Sequence, residues 1–324
     1  MAEILATGAR VKFLRDGDVA GAILAADETS TVDACVGIGG TPEGVIAACA
    51  LRCLDGQILG RLYPRDDGER VGSGVPPEVD LAVDPVDGTT LTAKSLPDAI
   101  AVIAIAERGT MFDPGPCVYM EKLAVAGDVA DVVELDATIA DNLRRIAERR
   151  GKRADDITVA VLERPRHDEL VKEILATGAR VKFLRDGDVA GAILAADETS
   201  TVDACIGIGG TPEGVIAACA LRCMDGQILG RLYPRDDAER NAALERGYDL
   251  ERVLRTEDLV SGQDIFFAAT GVTGGELLQG VRYGARRIIT QSLSMRSKSG
   301  AVRIVEGRHH PERSNLIRVG STAP

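Results

Sequence analysis

The stretch RVKFLRDGDVAGAILAADETSTVDACIGIGGTPEGVIAACALRCMDGQILGRL, Arg180–Leu232, alternates two kinds of apolar run. Short runs with Val, Ile and Phe read as strands, and longer runs of Ala and Leu read as helices. In order they give strand Arg180–Leu184, the polar turn Arg185–Asp188, helix Val189–Ala196, strand Val202–Ile208, a GGTPEG loop, helix Val215–Cys223 and strand Gln227–Leu232. This βαβαβ order predicts an α/β layered fold.

The stretch occurs twice. Glu3–Arg70 matches Glu173–Arg240 at every position except Val36/Ile206, Leu54/Met224 and Gly68/Ala238. Units of a solenoid diverge, because each packs against different neighbours. Two nearly identical copies at a wide spacing instead mark one of them as inserted.

Outward from this unit, strands are expected at Val79–Val83, Ala99–Ala106 and Ile157–Leu162, with a helix at Ala137–Arg150. Downstream come a helical stretch near Asn241–Gly247, strand Asp264–Ala269 and β-rich Arg287–Ile304. The polar tail from Gly307, with His309 and His310, is expected to fray into solvent. Gly151–Ala154 follows an arginine-rich helix and is the expected domain junction. The resulting segments are a duplicated βαβαβ unit at 1–68, a first domain at 69–153 and a second at 154–324.

The chain has 324 residues and a formal charge of −12, with no compensating basic stripe. That excludes nucleic acid and anionic membrane as expected partners and makes metal cations natural ligands. No apolar run approaches the ~18–20 residues of a membrane span. MAEILATGARV lacks the layout of a signal peptide, so a cytoplasmic location is expected. Cys49/Cys53 and Cys219/Cys223 lie four apart in apolar helical runs, Cys35 and Cys205 lie in apolar strands, and Cys117 makes the count odd. Without nearby histidines this is no zinc pattern, and buried reduced thiols are expected.

The chemistry concentrates in EVDLAVDPVDGTT, Glu78–Thr90. An apolar strand delivers Asp84 to its end, Pro85 stops the strand, and Asp87 returns a second carboxylate to the same side. Such a pair suits a hard cation held by oxygens, Mg²⁺ or Mn²⁺. Gly88 turns the chain, and the donors of Thr89 and Thr90 that follow suit a phosphate. The competing reading is a turn capped by one aspartate.

The D-P-x-D-G-T element resembles that of the lithium-sensitive, metal-dependent phosphatases. With ERPRH (Glu163–His167), RDGDVAGAI (Arg185–Ile193), GIGGTPEGV (Gly207–Val215), FFAATGVT (Phe266–Thr273) and MRSKSG (Met295–Gly300), the chain resembles the class II fructose-1,6-bisphosphatases from about Glu69 to Gly307. The resemblance implies a layered sugar-phosphatase fold of two α/β domains, hydrolysis of fructose 1,6-bisphosphate with Mn²⁺ or Mg²⁺, and a homo-oligomer as one option. It implies metal ligation by Asp84, Asp87 and Glu213, with Asp84, Asp87 and Thr89 as the catalytic set. It places substrate against Asp87, Gly88, Thr89, Tyr119, Arg164, Pro165, Arg166, Asp186, Gly187, Asp188 and Gly210.

By residue pattern alone, Arg164 and Arg166 are also readable as a solvated pair, Asp186 and Asp188 as an Asx turn, and Tyr119 as a core or surface tyrosine. His167 reads as a helix-start residue outside the chemistry. No G-x-S-x-G elbow is present, so the expected nucleophile is a water activated by metal.

The resemblance also exposes a gap. The family begins with a helix carrying a ligand aspartate and an acid-rich G-E-G-E-x-D element carrying a ligand glutamate. Residues 1–68 hold the copied unit instead. Asp33, Asp66, Asp67 and Glu69 lie in it or at its edge but not in those motifs. The first copy is therefore read as the intruder. A phosphatase built for two cations is expected to keep one, weakly held, with impaired activity. The alternative is a sugar-phosphate or metal-binding relative without turnover.

Overall fold

The structure, a computed structural model, describes residues 78–284 and 286–310. The copied unit at 1–68, including Asp33, Glu43, Asp66 and Asp67, lies outside the described residues, as do Glu69 and the tail from Pro311.

In chain order the elements are β1 (Val79–Asp87), α1 (Thr89–Ala93), β2 (Ile100–Glu107), β3 (Tyr119–Val125), α2 (Ile139–Arg150), β4 (Thr158–Leu162), α3 (Asp168–Ala176), β5 (Arg180–Leu184), α4 (Val189–Ala196), β6 (Ala204–Gly210), α5 (Thr211–Arg222), β7 (Gln227–Tyr233), α6 (Asp237–Glu245), α7 (Thr256–Leu259), β8 (Phe266–Gly271), β9 (Arg282–Tyr283), β10 (Ile288–Arg296) and β11 (Ala301–His309). They form a mixed α/β structure with two sheets. The first, in the order β1-β2-β8-β10-β11 with β9 beside β10, is antiparallel throughout. The second, in the order β5-β4-β6-β3-β7, is parallel among β5, β4 and β6 and antiparallel on both sides of β3. Each sheet draws strands from both sides of Gly151–Ala154, and Gly151 ends α2 in the left-handed conformation.

The layers follow from apolar patterning. Helices α4 (VAGAILAA) and α5 (TPEGVIAACALR) have no polar stripe over most of their length, and a helix that is apolar all round must be covered all round. Helix α5 packs on strands of both sheets, with α4 beside it. Their Ala, Val, Ile and Leu side chains share a core with Val102 and Phe267 of the first sheet and Met120 and Ala160 of the second. On the far face of the second sheet, Leu143 and Ile146 of α2 and Ile174 of α3 cover Leu123, Val159, Val161 and Ile206. Among the described residues, the first sheet leaves Leu81, Val83, Ile103 and Phe266 exposed.

Several expectations are corrected. Strand β3 has no counterpart in the sequence reading; its seven residues carry Glu121 and Lys122 in the middle, which interrupts the apolar run. It lies between β6 and β7, so the strands of the βαβαβ unit are not consecutive neighbours. The GGTPEG loop is not a loop: Gly209 and Gly210 end β6, and Thr211 begins α5 directly. Gly307–His309 does not fray, because β11 pairs with β10 as far as His309 opposite Ile288. Cys117, Cys205, Cys219 and Cys223 are buried free thiols, and burial pushes the last three up to about 12. No helix among the described residues is long and apolar enough to cross a membrane.

Candidate active site

Strand β1 does not stop at Pro85. Its pairing with β2 slips between Asp84 and Asp87, an irregularity that carries the chain across Pro85 without a ladder hydrogen bond from that residue. The Val86 amide donates to Asp84 Oδ1 at 3.0 Å. Asp87 is thereby driven inward and is 4% exposed. Gly88, in the left-handed conformation at φ 93°, then turns the chain into α1.

The end of β1 abuts the 185–188 turn. Asp186 Oδ2 accepts from the Thr90 amide at 3.0 Å, and its Oδ1 accepts from Arg164 at 2.7 Å. Arg164 also donates to the Arg185 carbonyl at 2.6 Å. Asp87 lies against Gly187, and the Ala190 backbone in the first turn of α4 acts to lower its pKa. Asp87 Oδ2 is buried with no hydrogen-bond partner. Burial, then the neighbouring carboxylates of Asp188, Asp84 and Glu213, push the Asp87 carboxyl well above the usual range.

A second line of contacts runs along β6. Tyr119 pairs with Gly210 across the β3–β6 ladder, and the Arg166 guanidinium stacks 5.1 Å from the centre of the Tyr119 ring. Arg166 is anchored by donating twice to the Ile208 carbonyl, at 3.0 and 2.8 Å. Pro165 begins the short turn Pro165–His167 and separates the two arginines, sending Arg164 to Asp186 and Arg166 to Tyr119. Glu213, in the first turn of α5, folds back over Gly210, where a Cβ would overlap its carboxylate. Burial and Asp188 hold Glu213 above the usual carboxylate range. The structure thus brings Asp84, Asp87, Gly187, Asp188, Glu213 and Gly210 together by contact or mutual charge. It links Asp186 to Arg164 and Tyr119 to Arg166 and Gly210, and leaves Gly88, Thr89 and Pro165 placed by the chain alone, with Thr89 half-buried at the start of α1.

Two further residues stand beside these candidates. His167 is 2% exposed and held at both nitrogens, with Nδ1 at 2.7 Å from the Leu162 carbonyl and Nε2 accepting from the Ile208 amide at 2.8 Å. It is a neutral brace between β4 and β6. Lys122, which the sequence reading passed over, enters the site as the partner of Asp188. Its sequence signal is weak: Lys122 follows Glu121 in a short stretch that the sequence does not mark as a strand.

The donor set suits a hard cation: four carboxylates repel one another, and one buried oxygen lacks a partner. Even so, among the described residues no three acidic, histidine or cysteine side chains stand together as a ready metal cage. Asp84, Asp87 and Glu213 share an electrostatic neighbourhood without closing into a coordination shell.

The family model described as bacterial fructose-1,6-bisphosphatase, glpX-encoded, matches residues 66–309 and, separately, residues 1–69. The chain belongs to this family. The separate match at 1–69 falls on the copied unit. The fructose-1,6-bisphosphatase class 2 of Haemophilus influenzae is 41% identical over 256 residues, which cover 75% of this chain and 77% of that protein. The fructose-1,6-bisphosphatase 1 class 2 of Escherichia coli K12 is 37% identical over 261 residues, 76% of this chain and 77% of the relative.

Proposed function

We propose that this chain is a class II fructose-bisphosphatase that hydrolyses fructose 1,6-bisphosphate to fructose 6-phosphate and phosphate. The observation that carries the reading is Asp87, buried with an unpartnered oxygen at a strand irregularity beside the substrate candidates. Asp84, Asp87 and Glu213 would hold Mn²⁺ or Mg²⁺. Such a cation supplies Lewis acidity, drawing charge from the phosphate and making an attacking water more acidic.

The chain's own residues do the rest. Gly88 and Thr89 present the turn into α1 to the scissile phosphate. Arg164 and Arg166 bring guanidinium groups to the sugar phosphate, for which their fork geometry is suited. Asp186 and Asp188 accept hydrogen bonds from sugar hydroxyls, with Tyr119 and the Gly210 backbone forming one wall. The Arg164–Asp186–Thr90 chain of hydrogen bonds couples the sugar side to the phosphate turn, so a correctly seated sugar aligns the ester.

A second reading is favoured by one observation, the absence of a ready three-ligand cage among the described residues. In that reading the chain binds sugar phosphate and a weakly held cation with little turnover. Phosphate release from fructose 1,6-bisphosphate by the full chain, with Mn²⁺ and with Mg²⁺, separates the two. Replacing residues 1–68 with the matching segment of an intact relative is expected to raise the rate by orders of magnitude. Activity already at the relative's level would refute the impairment.

A further inference from the structure

Lys122 sits on β3 in the interior of the second sheet, with 9% of its side chain exposed. Strand alternation points it to the same side as Met120 and Ala124, towards the central helices α4 and α5. An ammonium group in that place is costly unless it is paired and hydrogen-bonded. It pairs with Asp188, whose side chain is 13% exposed, and donates to the Gly210 carbonyl at 2.8 Å.

These two partners come from separate elements. Asp188 precedes α4, and Gly210 ends β6. One ammonium therefore fixes the distance between them. Gly209 makes room for the arrangement: a Cβ there would overlap the Asp188 carboxylate and lie 2.9 Å from Lys122 Nζ. Behind the pair is a cavity of 20 Å³ walled by Ala124, Leu162, Ala192 and Ile228 among others. On that side an Asp188 deprived of Lys122 would face an apolar wall.

We propose that Lys122 is a positioning residue for the sugar, holding the Asp188 carboxylate and the Gly210 backbone in the one arrangement that receives the hydroxyls of fructose 6-phosphate. The proposal rests on the reading of the site as a fructose-bisphosphatase pocket. Lys122 does not touch the reacting phosphorus; it acts through Asp188 and Gly210. Its loss should therefore appear as weaker binding of the sugar, with a larger change in KM than in kcat.

The test is calorimetric titration of the full chain with fructose 6-phosphate, alongside steady-state phosphate release. Lys122→Met is expected to weaken binding about tenfold or more, equal to about 1.4 kcal/mol. Lys122→Arg, which keeps a cation within reach of both partners, is expected to recover most of that loss. Gly209→Ala removes no charge but displaces the pair, so it should weaken binding as Lys122→Met does. If Lys122→Met does not fold, Gly209→Ala decides: full-strength binding overturns the proposal. Wild-type affinity in a folded Lys122→Met chain overturns it equally. A wild-type chain that neither binds fructose 6-phosphate nor releases phosphate would refute the bisphosphatase reading itself, a result distinct from a failure of Lys122 alone.

Discussion

Gly187 faces the carboxylate of Asp87 so closely that a Cβ on it would lie 2.9 Å from both carboxyl oxygens, and its φ is +73°. The turn that carries Asp186 and Asp188 is thus seated on the end of β1, and glycine is required there for conformation and for room. Gly187→Ala is expected to cost about 1–2 kcal/mol from the left-handed backbone alone. It should also push Asp87 out of place. Urea unfolding checks the first effect and Mn²⁺ calorimetry the second; unchanged values in both would contradict the packing.

Asp87 is the carboxylate for which a cation has most to offer, since its Oδ2 is buried without a partner. Asp87→Asn removes the charge and keeps the shape. Mn²⁺ affinity is expected to fall at least tenfold, about 1.4 kcal/mol. Equal affinity in the variant would remove Asp87 from the ligand set.

Glu43 and Glu213 sit in identical local sequences, so local propensity cannot distinguish them. Glu213 is placed over Gly210, within the electrostatic reach of Asp84 and Asp188. Glu213→Gln is expected to lower Mn²⁺ affinity, whereas Glu43→Gln leaves it near wild type. Equal losses would mean that the two copies exchange places, within a chain or between chains.

Asp203 is 1% exposed and takes Arg150 and Lys152 at 2.6 Å each, together with the Thr158 amide at 2.9 Å. It ties the start of β6 to α2 and β4. Only Asp203 is buried, with Lys152 reaching solvent, so Asp203→Asn is expected to cost about 1–3 kcal/mol in urea unfolding through the lost charged hydrogen bonds. Arg150 keeps Asp128 as a partner at 2.8 Å, which would place the loss at the lower end.

Burial holds His167 below its ordinary pKa, and the nearby Arg166 and Arg164 act in the same direction. The unfolded chain therefore binds this proton more readily than the folded one. The contribution of neutral His167 to stability is present above the unfolded value of about 6.5 and is lost as pH falls through the lower folded value. Unfolding free energies from pH 7 to pH 5 should decline less steeply in His167→Gln than in wild type. Parallel slopes would show that His167 titrates normally.

The sequence by itself determined the repeat, the longer helices α2, α4 and α5, and the chemistry-bearing motif. These are local properties: the apolar runs of α4 and α5 fix helices wherever they pack, and Asp84, Asp87 and Gly88 are adjacent in the chain. The strand boundaries near Asp87 and Gly210 were misread because a pairing partner, not propensity, extends them. Strand β1 continues past Pro85 because β2 offers Ile100 opposite Asp87, and β6 runs to Gly210 because Tyr119 pairs with it. Strand β3 and Lys122 were invisible for a related reason. A lysine interrupts an apolar strand pattern unless a carboxylate far along the chain accepts it, and Asp188 is brought there only by the packing of α4 on the second sheet. Burial and charge neighbours are properties of the assembled layers. The tertiary structure therefore decided which carboxylates confront one another, and the sequence alone could only supply them.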